Sequence, residues 1–450
     1  MLVKSAFVTL LSCALAAVVS AGGTNENLTS IPHVQRSNGA PVVKRMERMH
    51  LPRAESLNLR FPYNQEKMRG VSLGGWLVIE DFITPSVYAS TGDDRVIDEW
   101  SFGKYVDHDK AVSILRNHYD NFITEDDFAE IASYGLNHVR IPFPYWGVKT
   151  YSGDPYIKLN QLAKLKQAAQ WAAKYNLKIL IELHTVPGGA NPYDHGGHKG
   201  HMNWLNNADN EGRTLEILNA LASEFSQSQY SAVSAISLVN EPIGDTDQIR
   251  RFYQRGYNTV RGAEGSGDLL VVIGDAFINP ATNDYWLSKM QPPKYQDVAV
   301  DTHVYRLFDP TSIALTQDER ISYYCSFKSG FANANNHIWS MVGEWSPVFT
   351  DCAPGLNGRN TGSRYDGSYP DSTRRGSCKN RTGNANNFSP GFIANLRKNW
   401  AAQADAYEAG LGWIMWTWKT EDHTADDWSY KAGVRHGWIP RDPTDRSFSC

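Results

Sequence analysis

The chain has 450 residues, of which 41% are hydrophobic and 12% aromatic, with 14 Trp, 20% charged residues and a formal net charge of −4. That is enough apolar mass for one large core or two or three smaller ones. It excludes a basic nucleic-acid binder, which would carry a positive patch or arm; many Trp and Tyr among few charges suit sugar rings as ligands, or equally a large aromatic core.

In chain order, Lys4 precedes an apolar run from Ala6 to Val19 that ends at Val19-Ser20-Ala21. A basic start, an apolar centre and a small-residue cleavage site predict a signal peptide over 1–21. The run is short for a membrane span, and no later stretch is long enough. A secreted, soluble, monomeric chain without a membrane partner is therefore expected, outside the cell or in its wall. A polar segment ends at the dibasic pair Lys44-Arg45, which resembles a kexin-type processing site. Residues 22–45 are expected to be a propeptide and 46–450 a single domain.

Apolar runs then alternate with helical patterns. "MRGVSLGGW" (68–76) comes first, and "TEDDFAEIASYG", with a capping box at Thr124 and Asp127, leads to "LNHVRIPF" (136–143). A helical pattern at 158–176 leads to "LKILIELH" (177–184), one at 213–226 to "AVSAISLVNEP", and one at 247–262 to "LLVVIGDAF" (269–277). "DVAVDTHVY" (297–305), "HIWSMVGEW" (337–345) and "GWIMWTW" (412–418) complete eight predicted strands. Near-continuous apolar runs mark parallel strands covered on both faces. Eight such units predict a (β/α)8 barrel, a TIM barrel in the α/β class, with long loops on its C-terminal face. A doubly wound open sheet is the competing fold, but no G-x-G-x-x-G follows the first strand.

After removal of Cys13 with the signal, Cys325, Cys352, Cys378 and Cys450 remain, an even number in an oxidising compartment. Their spacing fits no zinc site and leaves all three connectivities open. Sequons fall at Asn27, inside the expected propeptide, and at Asn380 and Asn387, inside a polar stretch (353–390) that reads as a surface insertion.

Polar residues sit at the ends of the runs: Arg140, His184, Asn240-Glu241, His303 and Tyr305, Glu344-Trp345, then Trp416, Trp418 and Lys419. In a barrel those ends converge on one face, where catalytic groups sit. Polar groups there are costly to bury unless they pair with each other or with a ligand. Pro242 lacks an N–H and is expected to end the fourth strand, leaving Asn240 and Glu241 at the rim. Two facing carboxylates, Glu241 and Glu344, are what glycoside hydrolysis uses: one protonates the leaving oxygen and the other attacks carbon or activates water. No His/Asp cluster has metal-ligand spacing, so no metal or cofactor is expected.

The motifs "GVSLGGWLVIEDFITPS", "HVRIPF", "LHTVPGGANPYDHGG", "NEP", "HVYRLF", "GEW" and "WTWKTED" occur in order over 60–450. Together they resemble the secreted fungal exo-β-1,3-glucanases of glycoside hydrolase family 5. The resemblance implies Glu241 as acid/base and Glu344 as nucleophile, about 5–5.5 Å apart as retaining chemistry requires. It implies that Asn240 binds the sugar 2-hydroxyl and that Arg140 and Tyr305 orient Glu344, with His303 close by. Glu80, His184 and Asp194 would contact the non-reducing sugar. Trp416 would be its platform, with Trp418 the neighbouring candidate. Tyr193 and Phe308 would clamp the pocket mouth, where the family more typically has Phe at the first position. The resemblance further implies disulfides Cys325–Cys450 and Cys352–Cys378, and a β-glucan as the partner. A β-1,6- or β-1,4-glucan hydrolase on the same barrel is the nearest alternative. An inactive carbohydrate-binding barrel and a glycan-retained wall protein are the others; binding alone needs neither glutamate.

Overall fold

The computed structural model describes residues 58–450. The expected signal peptide, propeptide and Asn27 sequon lie outside them. Eight strands form a closed parallel barrel in chain order: β1 (Met68–Ser72), β2 (His138–Pro144), β3 (Lys178–Thr185), β4 (Val233–Ser237), β5 (Leu270–Gly274), β6 (Val298–Val304), β7 (Trp339–Trp345) and β8 (Gly412–Met415), with β8 pairing back to β1. Helices Gln161–Lys174, Ala208–Phe225, Thr246–Gly262, Gln317–Asn335 and Pro390–Tyr407 cover the outside, whereas β5 and β6 are joined by loops and a single 3-10 turn at Trp286–Ser288. The open-sheet alternative is thereby excluded.

The strand faces follow from alternation. Leu180, Ala235, Leu270, Val272, Ala299, Trp339, Met341 and Ile414 fill the barrel interior, and Phe61 and Tyr63 close its N-terminal end against Met68. The segment before β1 is fixed there by Arg60, whose guanidinium donates to the carbonyls of Phe225, Ser226, Tyr230 and Val233. Truncating a fully buried residue such as Leu180 to Ala costs about 2–5 kcal/mol. The helix Glu125–Ser133 starts as the sequence predicts, with the Asp127 carboxylate accepting the Thr124 N–H at 3.0 Å. That carboxylate also accepts from the Trp418 indole at 2.9 Å and from Lys419 at 2.8 Å, so one acid caps a helix and pins the loop after β8.

Two strand ends differ from expectation. The β4 ladder ends at Ser237, before Pro242 is reached. Beyond it the Asn240 N–H still donates to Leu183 O at 3.1 Å, and Glu241 then adopts a left-handed backbone with φ 42°. The turn is made by Glu241, so Pro242 does not stop the strand. At β8 the strand ends at Met415; the Trp416 N–H still donates to Trp345 O on β7 and Trp418 to Ser72 O on β1, but the Thr417 N–H between them turns away to Trp428 O.

The structure joins Cys325 to Cys450 and Cys352 to Cys378. The second bridge lies at the base of the long insertion between β7 and the helix Pro390–Tyr407, which is built of turns and exposes Asn380 and Asn387. No described helix is long and apolar enough to cross a membrane.

Candidate active site

Side chains from the C-terminal ends of the strands meet over the barrel. Arg140 on β2 is the hub and is fully buried. Its guanidinium lies 2.8 Å from Glu344 Oε1 and 3.4 Å from Glu182 Oε2, and it donates to Asn240 Oδ1 at 2.9 Å and Ser72 Oγ at 3.3 Å. Burial alone would favour loss of its proton, but Glu182, Glu344 and Asp301 reverse this and raise its pKa. Stripping such a cation of one carboxylate is costly, about 3–5 kcal/mol.

Glu344, near the end of β7, also accepts the Tyr305 hydroxyl at 2.9 Å. Glu241 accepts from His303 Nδ1 at 2.7 Å, and its second oxygen lies 3.5 Å from His195 Nε2. One oxygen of Glu241, one oxygen of Glu344 and a nitrogen of His303 lie within 4.8 Å of one another. The nearest carboxylate oxygens of Glu241 and Glu344 are thus within 4.8 Å, with the imidazole of His303 beside both. The same three groups have metal-ligand spacing, but Arg140 and His303 already balance the two carboxylates.

The Glu241–His303 pair titrates as a unit. Burial opposes the imidazolium, but Glu344, Asp301 and Glu241 outweigh it and hold His303 well above the usual histidine range. Burial likewise pushes Glu241 up, while the bond and charge of His303, with His195 and His184, bring it down to about 2. At neutral pH the pair therefore keeps one proton, resting on the imidazole.

Several buried polar atoms find no partner within the protein: Glu80 Oε1, His184 Nε2 and Asn240 Nδ2. Their orientations are set from behind. Asn240 Oδ1 faces Arg140, which can only donate, so the amide nitrogen is the free end. His184 Nδ1 is taken by Glu182 Oε2 at 2.8 Å, which leaves Nε2. Burial, then Glu344, Asp194 and Glu241, push Glu80 well above the usual carboxylate range. Such atoms are costly unless a ligand meets them.

The two tryptophan candidates separate cleanly. Trp416 lies 11° from parallel to the His184 ring at 6.1 Å and within 5.8 Å of Arg140. A Cβ at Gly74 would sit 2.7 Å from that indole, so glycine there makes room for it. Trp418 is fully buried on the other side, bonded to Asp127. Tyr193 and Phe308 keep 41% and 40% of their surface exposed, Tyr193 against the His195 ring and Phe308 edge-on to Tyr305. Asp194 opens a 3-10 turn beside Tyr193 and raises Glu80 through its charge.

Sequence reasoning missed Glu182, His195 and Asn191, whose side-chain amide donates to Glu241 O at 3.3 Å. Glu182 was accessible, because it lies two residues before His184 on the same strand face. His195 and Asn191 are loop residues that no periodicity places.

The family described as Cellulase (glycosyl hydrolase family 5) matches residues 106–352. The chain is 40% identical to a glucan 1,3-beta-glucosidase of Blumeria graminis over 397 residues, covering 86% of this chain and 90% of that protein. It is 37% identical to a glucan 1,3-beta-glucosidase of Pichia angusta, covering 86% and 89%. Among solved structures, a rutinosidase from Aspergillus niger superimposes with TM-score 0.65 at 20% identity, covering 84% of this chain and 99% of that one, which is a likeness of fold.

Proposed function

The chain belongs to glycosyl hydrolase family 5, and from that membership we propose that it is a secreted, retaining exo-β-1,3-glucosidase that takes glucose from the non-reducing ends of β-1,3-glucans. The observation that carries this reading is the close pair Glu241 and Glu344, with His303 between them. The substrate class follows the two relatives, each named as a glucan 1,3-beta-glucosidase.

Glu344 is the nucleophile. Arg140 and Tyr305, at 2.8 and 2.9 Å, keep its carboxylate ionised and aimed. It attacks the anomeric carbon as the bond to the leaving oxygen breaks, giving a glycosyl ester. Glu241 gives the leaving oxygen its proton, received across the 2.7 Å bond from His303. The ester has no charge, so His303 then loses the strongest of the charges that held its proton. Glu241, now ionised, takes a proton from water while that water attacks the anomeric carbon. Glucose leaves with its configuration retained, and Glu344 is regenerated. Water can be replaced by a sugar hydroxyl in this second step, which is transglycosylation.

Asn240 Nδ2, which has no partner within the protein, donates to the 2-hydroxyl, a contact that strengthens in the transition state. Glu80, His184 and Asp194 hold the remaining hydroxyls over Trp416. The exposed rings of Tyr193 and Phe308 grip the sugar on the leaving side. A pocket floored by these groups admits a chain terminus only. The apolar run over 6–19, the two exposed sequons and the two disulfides support secretion; residues 1–21 are then the signal, 22–45 a propeptide and 46–450 the catalytic domain, acting as a monomer.

Product analysis on laminarin tests the reading. Free β-glucose should dominate from the first minutes, with its anomeric signal seen by NMR before mutarotation. An early ladder of mid-sized oligosaccharides, or α-glucose as first product, would overturn it.

A further inference from the structure

Asp301 lies two residues before His303 on β6, on the same face of the strand, and its carboxylate is buried. It is not among the groups that the chemistry above uses, yet it touches the frame of both carboxylates. On one side Oδ2 lies 3.6 Å from His303 Nε2, the ring nitrogen opposite the one bonded to Glu241. On the other side Oδ1 accepts the Gly343 N–H at 2.6 Å.

Gly343 is where the sheet breaks register. Thr302 pairs with Val342 and His303 with Glu344, so Gly343 is an extra residue on β7 with no opposite number. Trp339 and Met341 point into the barrel, and strict alternation would carry Gly343 inward and Glu344 outward. The bulge reverses that phase and turns Glu344 to the site, as bulges beside active sites do. It also leaves the Gly343 N–H without a ladder acceptor, which Asp301 supplies. The fit is tight: a Cβ on Gly343 would fall 2.1 Å from Asp301 Oδ2. The glycine and the aspartate therefore occupy one another's space, and neither can be enlarged alone.

We propose that Asp301 is a positioning residue for both steps of the reaction, capping the β7 bulge that aims Glu344 and placing a negative charge behind His303, on the Nε2 side opposite Glu241. Nδ1 is bonded to Glu241 at 2.7 Å, and the Asp301 charge 3.6 Å from Nε2 favours the imidazolium through space. This rests on the proposed roles of Glu241 and Glu344.

The test is the pH profile of kcat/KM on an aryl β-glucoside for the full chain and its Asp301→Asn and Asp301→Ala variants. Asn keeps a carbonyl oxygen for the Gly343 N–H and turns an uncharged NH2 toward His303 in place of the carboxylate oxygen. Losing a nearby negative charge makes the Glu241–His303 pair release its proton more easily, so the alkaline limb should move down by about one pH unit, with KM within about threefold. The other charges around His303 are unchanged by this substitution: Glu241, Glu344 on β7 and Asp275 beyond β5. So are Arg140 on β2, Glu182 on β3 and Glu80 beyond β1, and the Tyr305 hydroxyl on Glu344. Asp301→Ala also removes the bulge cap, and kcat should fall at least tenfold below that of Asp301→Asn at the optimum. An Asp301→Asn profile superimposable on the parent's, or a uniform drop at every pH without movement of the limb, would overturn the proposal while the parent's activity stands. A parent chain inactive on aryl β-glucosides would overturn the reading of the site, and this proposal with it.

Discussion

Glu99 offers a direct test of how burial and charge are coupled beneath the site. It opens the helix Glu99–Tyr105, is 4% exposed, and accepts the Ile79 N–H at 2.9 Å. Ile79 immediately precedes Glu80, so this bond fixes the backbone of the proposed sugar ligand Glu80. Burial raises the Glu99 carboxyl, the Ile79 N–H opposes, and Asp98 adds to the rise, bringing it from 4.5 to about 8. The folded value lies above the unfolded one. The stabilisation is therefore complete below pH 4.5 and is lost as pH rises toward about 8, because the unfolded chain ionises freely while the folded one resists. From pH 5 to 8 that is three units at about 1.36 kcal/mol each, or about 4 kcal/mol as an order of magnitude. Glu99→Gln keeps an acceptor for Ile79 and removes the titration. Urea unfolding of both proteins at pH 5 and pH 8 should show the parent losing about 4 kcal/mol more than the variant over that interval. Asp427 and Asp275, raised by burial to about 7 and about 6, titrate in both proteins and cancel in the difference. Parallel pH–stability curves would refute the argument, since they would mean that Glu99 meets water or an unrecognised cation.

Glu344→Gln should lower turnover of an aryl β-glucoside by at least about 10⁴-fold while leaving inhibitor binding nearly unchanged; turnover near the parent's would assign the nucleophile elsewhere. Arg140→Lys keeps the charge but cannot span Glu344 and Asn240 together. Losing one charge-assisted bond of about 1.5–3 kcal/mol should reduce kcat roughly ten- to a hundredfold, and a rate within threefold of the parent's would contradict the hub role. Phe308→Ala should raise KM for laminarin more than for an aryl glucoside, and equal effects on the two would mean that the ring does not touch the leaving side. Replacing Cys352 and Cys378 together by Ala opens a bridge of sequence separation 26, which the chain-entropy relation values at about 3.5 kcal/mol; calorimetry showing no loss of stability would mean that the insertion holds itself.

The eight strands could be read from the sequence because parallel strands buried on both faces carry unbroken Val, Ile and Leu. Arg140 and Glu182 could also be placed, since β2 and β3 pair regularly through Phe143 and Leu183: Leu180 faces the interior, Glu182 follows on that face, and His184 bonds Glu182 from the register shift just beyond. The choice between Trp416 and Trp418 could not be made. Both have the parity of the inward-facing Ile414, yet between them the Thr417 N–H leaves the ladder for Trp428 O and parity loses its meaning. The left-handed turn at Glu241 had no signal either. Such a backbone is uncommon outside glycine and is imposed by the surroundings, here by the Asn191 amide on its carbonyl and His303 on its carboxylate.

Both proposed catalytic glutamates sit where alternation fails. On β4, Ala235 faces the interior, yet Leu238 and Val239 both pack in the outer core before Asn240 turns inward to Arg140. On β7 the extra residue Gly343 shifts the phase by one. A regular strand offers the barrel mouth only the directions that its pleat dictates. Two carboxylates brought within 4.8 Å from strands three positions apart need directions that the pleat does not supply. Each break leaves backbone groups out of the ladder, and each is repaired by a polar side chain: Asn191 at Glu241 O and Asp301 at Gly343 N–H. Those two residues have no hydrophobic pattern and no place in the proposed sugar pocket, so sequence reading passes over them. The irregularity that aims a reactive group creates its own demand for hydrogen bonds, and the residues that answer it are found by asking where the displaced backbone groups have gone.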